Sequence, residues 1–183
     1  MNKKAKDTLS NPTFLKPFAK KGELLRVVVE TPKGSRNKYA FDPDLKLFTL
    51  KKTLPEGMVF PYDFGFVPHT EADDGDPVDA LVLMDEPAFP KCMLKCRLIG
   101  VIEGEQEDER GKVLRNDRLL AVEQGSHSYE PIKDLKDVPR QLLKELGEFF
   151  VNYHRLEGAK YRLLGTKGAE AAHRQVETAT VVA

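Results

Sequence analysis

The sequence has few of the features that would assign it to a function class at once. Its two cysteines, Cys92 and Cys96, stand four residues apart, and the four scattered histidines complete no zinc ligand set with them. No run approaches the roughly 18 apolar residues of a membrane span. Lys plus Arg and Asp plus Glu each number 29, so no net field attracts nucleic acid or an acidic membrane. We therefore expect a cytoplasmic protein with two free thiols that binds neither nucleic acid nor a membrane.

The length and composition predict a single folded domain after a short arm. The chain has 183 residues, of which 40% are hydrophobic, and that suffices for one buried core. Residues 1–22 are rich in lysine and contain two prolines, which favours an irregular N-terminal arm. No apolar run follows the first lysines, so this arm does not resemble a secretory signal. Residues 23–183 form the predicted domain.

Short strand-like segments, separated by Pro and Gly, fill most of the chain, and a helix follows them. Val138, Leu142, Leu146, Phe149 and Tyr153 recur at spacings of three and four, which predicts a helix that Gly158 ends. A second, short helix is predicted over Ala169–Glu177. Many strands followed by helices indicate a mainly β fold, a closed or partly closed β-barrel with helices outside it. The predicted strands are Leu24–Thr31, Arg36–Asp42, Lys46–Lys52, Val78–Met84, Met93–Ile102 and Leu119–Val122.

One acidic segment stands out, because Asp73, Asp74, Asp76 and Asp79 fall within seven residues. Gly75 lets the chain bend sharply there. Crowded carboxylates repel one another, and a bound cation relieves that repulsion; oxygen ligands favour Mg²⁺, Mn²⁺ or Ca²⁺ over zinc. A solvated acidic turn is the commoner structure for such a composition. Against it, Asp79 enters an apolar strand, and the spacing is not that of an EF-hand.

The flanking residues extend this pattern to a known family. Asp74-Gly-Asp-Pro-Val-Asp79 resembles the Asp-x-Asp-Pro-x-Asp signature of family I soluble inorganic pyrophosphatases. In order along the chain, four further segments resemble the same family: Val28-Val-Glu30-Thr-Pro32, Lys38-Tyr39, Phe60-Pro61-Tyr-Asp-Phe64-Gly65 and Phe149-Phe-Val-Asn-Tyr153. The resemblance implies an OB-like five-stranded β-barrel with packed helices. It also implies Mg²⁺-dependent hydrolysis of pyrophosphate, with Mn²⁺ as a substitute, in a homo-oligomer that is often a hexamer.

The same resemblance implies a role for each matching side chain. Asp76 would act as the general base beside the attacking water. Asp74 and Asp79 would bind the metals, and Glu30 would act on the metal side by orienting metal-bound waters. Asp117 is a candidate for a further metal ligand, although it does not align strictly. Phosphate-binding residues would be Lys38, Lys52, Arg118 and Tyr153.

Several positions depart from the family pattern. The second acidic region is altered most, because strict alignment places Asn116 at a metal ligand and Arg118 at a lysine, with Asp117 shifted by one. The loop before it, residues 103–115, is long and carries five acids, any of which could supply the missing ligand: Glu103, Glu105, Glu107, Asp108 and Glu109. Other departures are Ala40 for Glu, Lys52 for Arg, Phe60 and Phe64 for Tyr, and His154 for Lys.

Other interpretations stay open from the sequence alone. Glu30 could be an ordinary strand residue facing solvent, Lys38 a solubilising edge charge, and Tyr153 a core residue. The missing tyrosine hydroxyls would permit a phosphoanhydride hydrolase of shifted specificity. A non-catalytic OB-barrel that binds metal or nucleic acid is a third interpretation, although the acidic run beside the phenylalanines argues against nucleic acid.

Overall fold

The computed structural model describes residues 11–19, 24–107 and 110–181. These residues form nine strands and two α-helices, α1 (Arg140–Leu156) and α2 (Ala169–Ala179). The predicted arm, residues 1–22, lies mostly outside the described residues, so the domain division stays a prediction. The strands are β1 (Leu25–Thr31), β2 (Asn37–Asp42), β3 (Leu47–Thr53), β4 (Asp63–Phe66), β5 (Asp79–Leu83), β6 (Met93–Glu107), β7 (Val113–Arg115), β8 (Arg118–Glu123) and β9 (Tyr161–Gly168).

Five strands close into a ring in the order β1, β4, β5, β8, β6 and back to β1. The β5–β8 pair is parallel and the other four pairs are antiparallel. Strands β7 and β9 extend the sheet from β6, while β2 and β3 form a separate hairpin. The ring and its packed helices confirm the predicted fold class.

The pattern of apolar and turn residues in the sequence predicts most of the strands. The six predicted strands match β1, β2, β3, β5, β6 and β8 within one residue at every end but one, since β6 runs on to Glu107. Strands β4, β7 and β9 were missed. β4 is only four residues long and contains Gly65, whose missing side chain lets Val28 of β1 approach closely. β9 is largely exposed, and its sequence lacks the alternation of apolar and polar residues that predicts a strand.

The core divides into two clusters because side chains alternate along the ring strands. In β5, Ala80 and Val82 join a cluster that α2 completes with Ala172 and Val176. Leu81 and Leu83 point the other way, into a cluster that includes residues of α1. Each helix therefore covers one side of the same strands. Within the described ranges, no helix is long and apolar enough to cross a membrane.

Helix α1 forms where predicted, but its buried face is rotated from the predicted one. Leu146 and Tyr153 are buried as expected. Phe150, not Phe149, fills the core position between them, and Val138 lies before the helix. Gly158 follows the helix with φ of +76°, a left-handed conformation that suits glycine at a helix end.

Candidate active site

The acidic segment forms a tight exposed turn that leads into β5. Gly75 has φ of +87°, so the sharp bend uses a conformation that favours glycine. The Asp76 amide donates a hydrogen bond to Asp74 Oδ1 at 3.2 Å, and the Ala72 amide donates to the Asp76 carbonyl at 2.7 Å. The side chains of Asp74 and Asp76 thus remain near solvent while the backbone of the turn is held.

Asp79 stands at the point where this turn enters the ring. In the parallel β5–β8 pair Ala80 is opposite Leu119, so the residues before them, Asp79 and Arg118, are neighbours. Arg118 Nη1 lies 3.2 Å from Asp79 Oδ2, and 26% of the Asp79 side chain is exposed. Burial raises the pKa of the Asp79 carboxyl, and nearby Arg118 opposes that rise. Asp79 also lines both of the cavities that meet at the acidic turn.

The first cavity lies on the β1 side of Asp79 and collects Glu30, Lys38 and Asp76. Glu30 sits where the β1–β4 register shifts, and its Oε1 accepts a 2.7 Å hydrogen bond from the Phe41 amide. Burial raises the pKa of Glu30 to about 7, and the carboxylates of Asp79 and Asp76 add to that rise. Burial likewise lowers the pKa of Lys38. Glu30 is therefore a buried site residue, not a solvent-facing strand residue.

The second cavity lies on the β8 side of Asp79 and contains Asp74, Asn116, Asp117 and Arg118. Asp117 is fully engaged: its Oδ1 accepts from the Gly104 amide at 2.9 Å, and its Oδ2 accepts from Arg115 at 2.9 Å and from Gln175 at 3.1 Å. Sequence reasoning did not assign Arg115 and Gln175 to this site. The spacing of Arg115 and Asp117, two residues apart in extended chain, was the available signal for the first of them.

Arg118 and Asn116 form a buried pair beside Asp79. The Arg118 guanidinium donates to the Asn116 side-chain oxygen and, at 2.9 Å, to the Asp117 carbonyl. Its Cζ lies 5.2 Å from the Phe150 ring centre and 5.9 Å from that of Phe64, and the residue is 5% exposed. The Asn116 side-chain nitrogen donates to Gln106. Packing and hydrogen bonds therefore fix this cation in place.

Two lysines and a tyrosine gather next to the first cavity. Lys38 Nζ lies 5.4 Å from the Phe64 ring centre and 5.8 Å from that of Tyr153, and Lys52 Nζ lies 4.5 Å above the same tyrosine. Lys52 also forms an ion pair with Glu157. Burial raises the pKa of Tyr153, whose hydroxyl has no hydrogen-bond partner among the described residues. The Tyr153 ring packs in the core and the residue lines neither cavity, so its hydroxyl is an enclosed donor beside the two lysines, without a partner in the portion of the chain described.

His154 is buried behind this group. Its ring stacks on Tyr161 with centres 4.7 Å apart. Burial lowers its pKa to about 3, helped by the positive charges of Arg118, Lys38 and Lys52. His154 is therefore neutral near pH 7 and adds no charge to the phosphate side. His154 therefore packs as a structural residue of the core.

Metal binding can be tested against the donor set itself. Within the described part of the chain, no three His, Cys, Asp or Glu side chains lie close enough to form a ready-made metal site. Asp74, Asp76 and Asp79 nevertheless supply only oxygen donors around two open cavities. Mg²⁺ suits this arrangement, because it keeps several waters and binds through one or two carboxylates together with substrate phosphates. The donor set therefore fits a hard divalent ion.

Comparisons with known proteins agree with this geometry. The family model "Inorganic pyrophosphatase" matches residues 27–181. An inorganic pyrophosphatase of Synechocystis is 38% identical over 161 residues, covering 88% of this chain and 92% of its own length. That of Methanosarcina acetivorans is 40% identical over 146 residues, covering 80% and 84%. The crystal structure of the Thermus thermophilus inorganic pyrophosphatase superposes with a TM-score of 0.85 at 33% identity, covering 93% of this chain and 97% of that one. The chain belongs to the inorganic pyrophosphatase family.

Proposed function

We propose that this chain hydrolyses inorganic pyrophosphate to two phosphates with the help of Mg²⁺, for which Mn²⁺ can substitute. The observation that carries the proposal is the meeting of opposite charges at Asp79. Carboxylates line the cavity between β1 and the acidic turn, and two lysines and a tyrosine hydroxyl stand beside it. Such a site accepts a densely charged anion together with its counter-cations.

Each chain residue has a defined task in this proposal. Asp74, Asp79 and Glu30 hold the divalent ions, which when bound mask phosphate charge and lower the pKa of a nearby water. Asp76 takes the proton of that water as it attacks phosphorus. The bond from this phosphorus to the bridging oxygen breaks, and the second phosphate leaves with that oxygen.

The cationic side chains bind the phosphate oxygens. Lys38 and Lys52 neutralise them, Arg118 approaches from the β8 side, and the Tyr153 hydroxyl donates a hydrogen bond. Asp117, the remaining predicted metal ligand, stays a prediction, since both its oxygens already accept hydrogen bonds.

Phosphate release from pyrophosphate, with and without Mg²⁺, tests the proposal. We expect release with Mg²⁺, its loss with a chelator, and its return when Mg²⁺ is restored. Ca²⁺ should bind but support little turnover, because its looser coordination misplaces the attacking water. Asp79→Ala should weaken divalent ion binding and abolish release. The proposal fails if the purified chain releases no phosphate with any divalent ion.

Tripolyphosphate and ATP in the same assay test the alternative specificity. Phe60 and Phe64 carry no hydroxyl for a phosphate oxygen, and both rings are buried. We expect pyrophosphate to be preferred, because the lysines and Tyr153 gather over a compact site. Faster release from the longer phosphates would reassign the substrate.

Location and assembly belong to the same proposal. We propose a cytoplasmic homo-oligomer, for which the family resemblance favours a hexamer. The free thiols Cys92 and Cys96 suit a reducing compartment. Light scattering of the purified chain gives the mass, and a monomer at micromolar concentration would contradict the assembly.

A further inference from the structure

We propose that Arg118 is a built-in cation of the acidic centre, so that the β8 side of Asp79 takes no divalent ion of its own. The divalent ions then bind at the acidic turn and on the side bordered by Glu30 and Asp76, and none binds between β5 and β8. This inference rests on the proposed function for the identity of the ligands, but it concerns metal binding and can be tested without turnover.

The first support is the position of the guanidinium. Arg118 Nη1 contacts both Asp79 Oδ2, at 3.2 Å, and the side-chain oxygen of Asn116. These are the two oxygens that would coordinate an ion entering between β5 and β8. The rings of Phe64 and Phe150 pack against the guanidinium and hold it in this place.

The second support is that the oxygens which Asn116 and Asp117 bring to the start of β8 are already used. Asn116 brings an amide in place of a charged carboxylate, and its nitrogen donates to Gln106. Asp117 directs its Oδ2 to Arg115 and Gln175 and its Oδ1 to the Gly104 amide. An ion on the β8 side would have to break these contacts and sit against a fixed positive charge.

The third support is the contrast with the opposite side of Asp79. There Glu30 uses one oxygen for the Phe41 amide, and Asp76 is exposed on the acidic turn. The cation of that cavity, Lys38, lies over the rings of Phe64 and Tyr153. Carboxylate oxygens therefore remain accessible to an ion on this side.

The test is a titration with Mn²⁺ alone, in which electron paramagnetic resonance counts the free ion. Four variants are compared with the parent: Asn116→Asp, Arg118→Met, the double variant and Arg174→Met. The double variant should bind one additional Mn²⁺ per chain. Its dissociation constant for that ion should be at least tenfold lower than the constant for Arg118→Met. Asn116→Asp alone should bind no additional ion, because the new carboxylate pairs with Arg118.

Arg174→Met is the matched control for the loss of a positive charge. Arg174 lines the same cavity, but its side chain is 63% exposed and pairs with Glu170 on its own helix. Its removal should leave the number and affinity of bound Mn²⁺ within about twofold of the parent. An equal gain in this control would mean that cavity charge in general, and not Arg118, excludes the ion.

Two results would overturn the inference. One is an additional Mn²⁺ bound by Asn116→Asp alone, which would show that the missing carboxylate is the whole cause. This variant is nearly isosteric, so it decides the question even if the double variant does not fold, as circular dichroism would reveal. The other is a folded double variant with unchanged or weaker binding. Absence of phosphate release by the parent, with the Mn²⁺ pattern as expected, would reject the proposed function and leave the inference standing.

Discussion

The turn before β5 and the start of β8 face each other across the same cavity, yet their charges are balanced differently. Asp74 and Asp76 are exposed on the acidic turn. On β8, Asp117 pairs with Arg115, and Arg118 reaches across to Asp79. The carboxylates of the acidic turn are left for cations from solution, whereas arginines of the chain neutralise the carboxylates around the start of β8.

This difference shows that one carboxylate site can balance its negative charge in two ways. Exposed carboxylates stay available to a divalent ion at little cost in folding. An ionised carboxylate that is buried needs a partner in the folded protein whether or not a metal is bound, because an unpaired buried charge is strongly destabilising. An arginine partner supplies that stability without a metal, but it also occupies a carboxylate oxygen that could otherwise bind an ion.

The largest expected effect comes from removing the proposed general base, Asp76, on the side of the site that the chain leaves open. Asp76→Asn keeps the shape of the turn but cannot accept the proton of the attacking water. Turnover of pyrophosphate with Mg²⁺ should fall by about 10²–10⁴-fold. Asp73→Asn, an exposed residue of the same turn, is the control and should stay near the parent rate. A turnover close to normal in Asp76→Asn would remove this residue from the role of base.

A smaller effect should follow from adding a hydroxyl to Phe64, whose ring lies next to Arg118. The Phe64 ring borders both Lys38 and Arg118, and the family resemblance places a tyrosine here. A hydrogen bond to a charged group contributes roughly 1.5–3 kcal/mol, so Phe64→Tyr should raise kcat/KM by up to about a hundredfold. Phe150→Tyr adds a hydroxyl to the same aromatic cluster and should not raise it. Lower activity in Phe64→Tyr would mean that the site has been rebuilt around the phenyl ring.

The buried histidine gives a third test, through stability. The pKa of His154 is about 3 in the folded chain against 6.5 ordinarily, so the unfolded chain binds the extra proton. The free energy of unfolding is therefore unaffected by protonation of His154 above about pH 6.5. Below that value it falls by about 1.4 kcal/mol per pH unit. His154→Phe should lack this loss, so its advantage in free energy of unfolding should grow as the pH falls to 4.5. Urea unfolding measures it, with His173→Phe as the control, and parallel curves would refute it.

The smallest expected effect is at the second lysine. Lys52→Arg keeps the charge that pairs with Glu157 and adds only a planar fork. The KM for pyrophosphate should fall by a few-fold at unchanged kcat. Lys95→Arg, on the exposed face of β6, should leave both constants unchanged. A rise in KM would show that the Glu157 pair needs the compact ammonium.

Local patterns explain which parts could be predicted from the sequence. Apolar alternation and turn residues located six strands, and the acidic turn was found because its carboxylates are neighbours in the chain. The engagement of Asp117 was not predictable in the same way. Its partner Gln175 belongs to α2, far along the sequence, and nothing local selects that residue from the many polar side chains of the chain. Phe149 and Phe150 illustrate the same limit, because they stand about 100° apart around α1 and the sequence offers a phenylalanine at either position.

The closure of the ring through β1 and β6 also determines when the site appears during folding. Their pairing joins Leu25 to Cys96, across all of β2 to β5, and such distant contacts form slowly because a long loop must be closed first. Glu30 lies on β1 and is brought to Asp79 of β5 through β4, and the closing β1–β6 pair then fixes the strand that carries it. Affinity for divalent ions should therefore arise late in refolding, after the helical signal of α1 and α2. A newly synthesised chain would acquire its metals as one of the last events of its maturation.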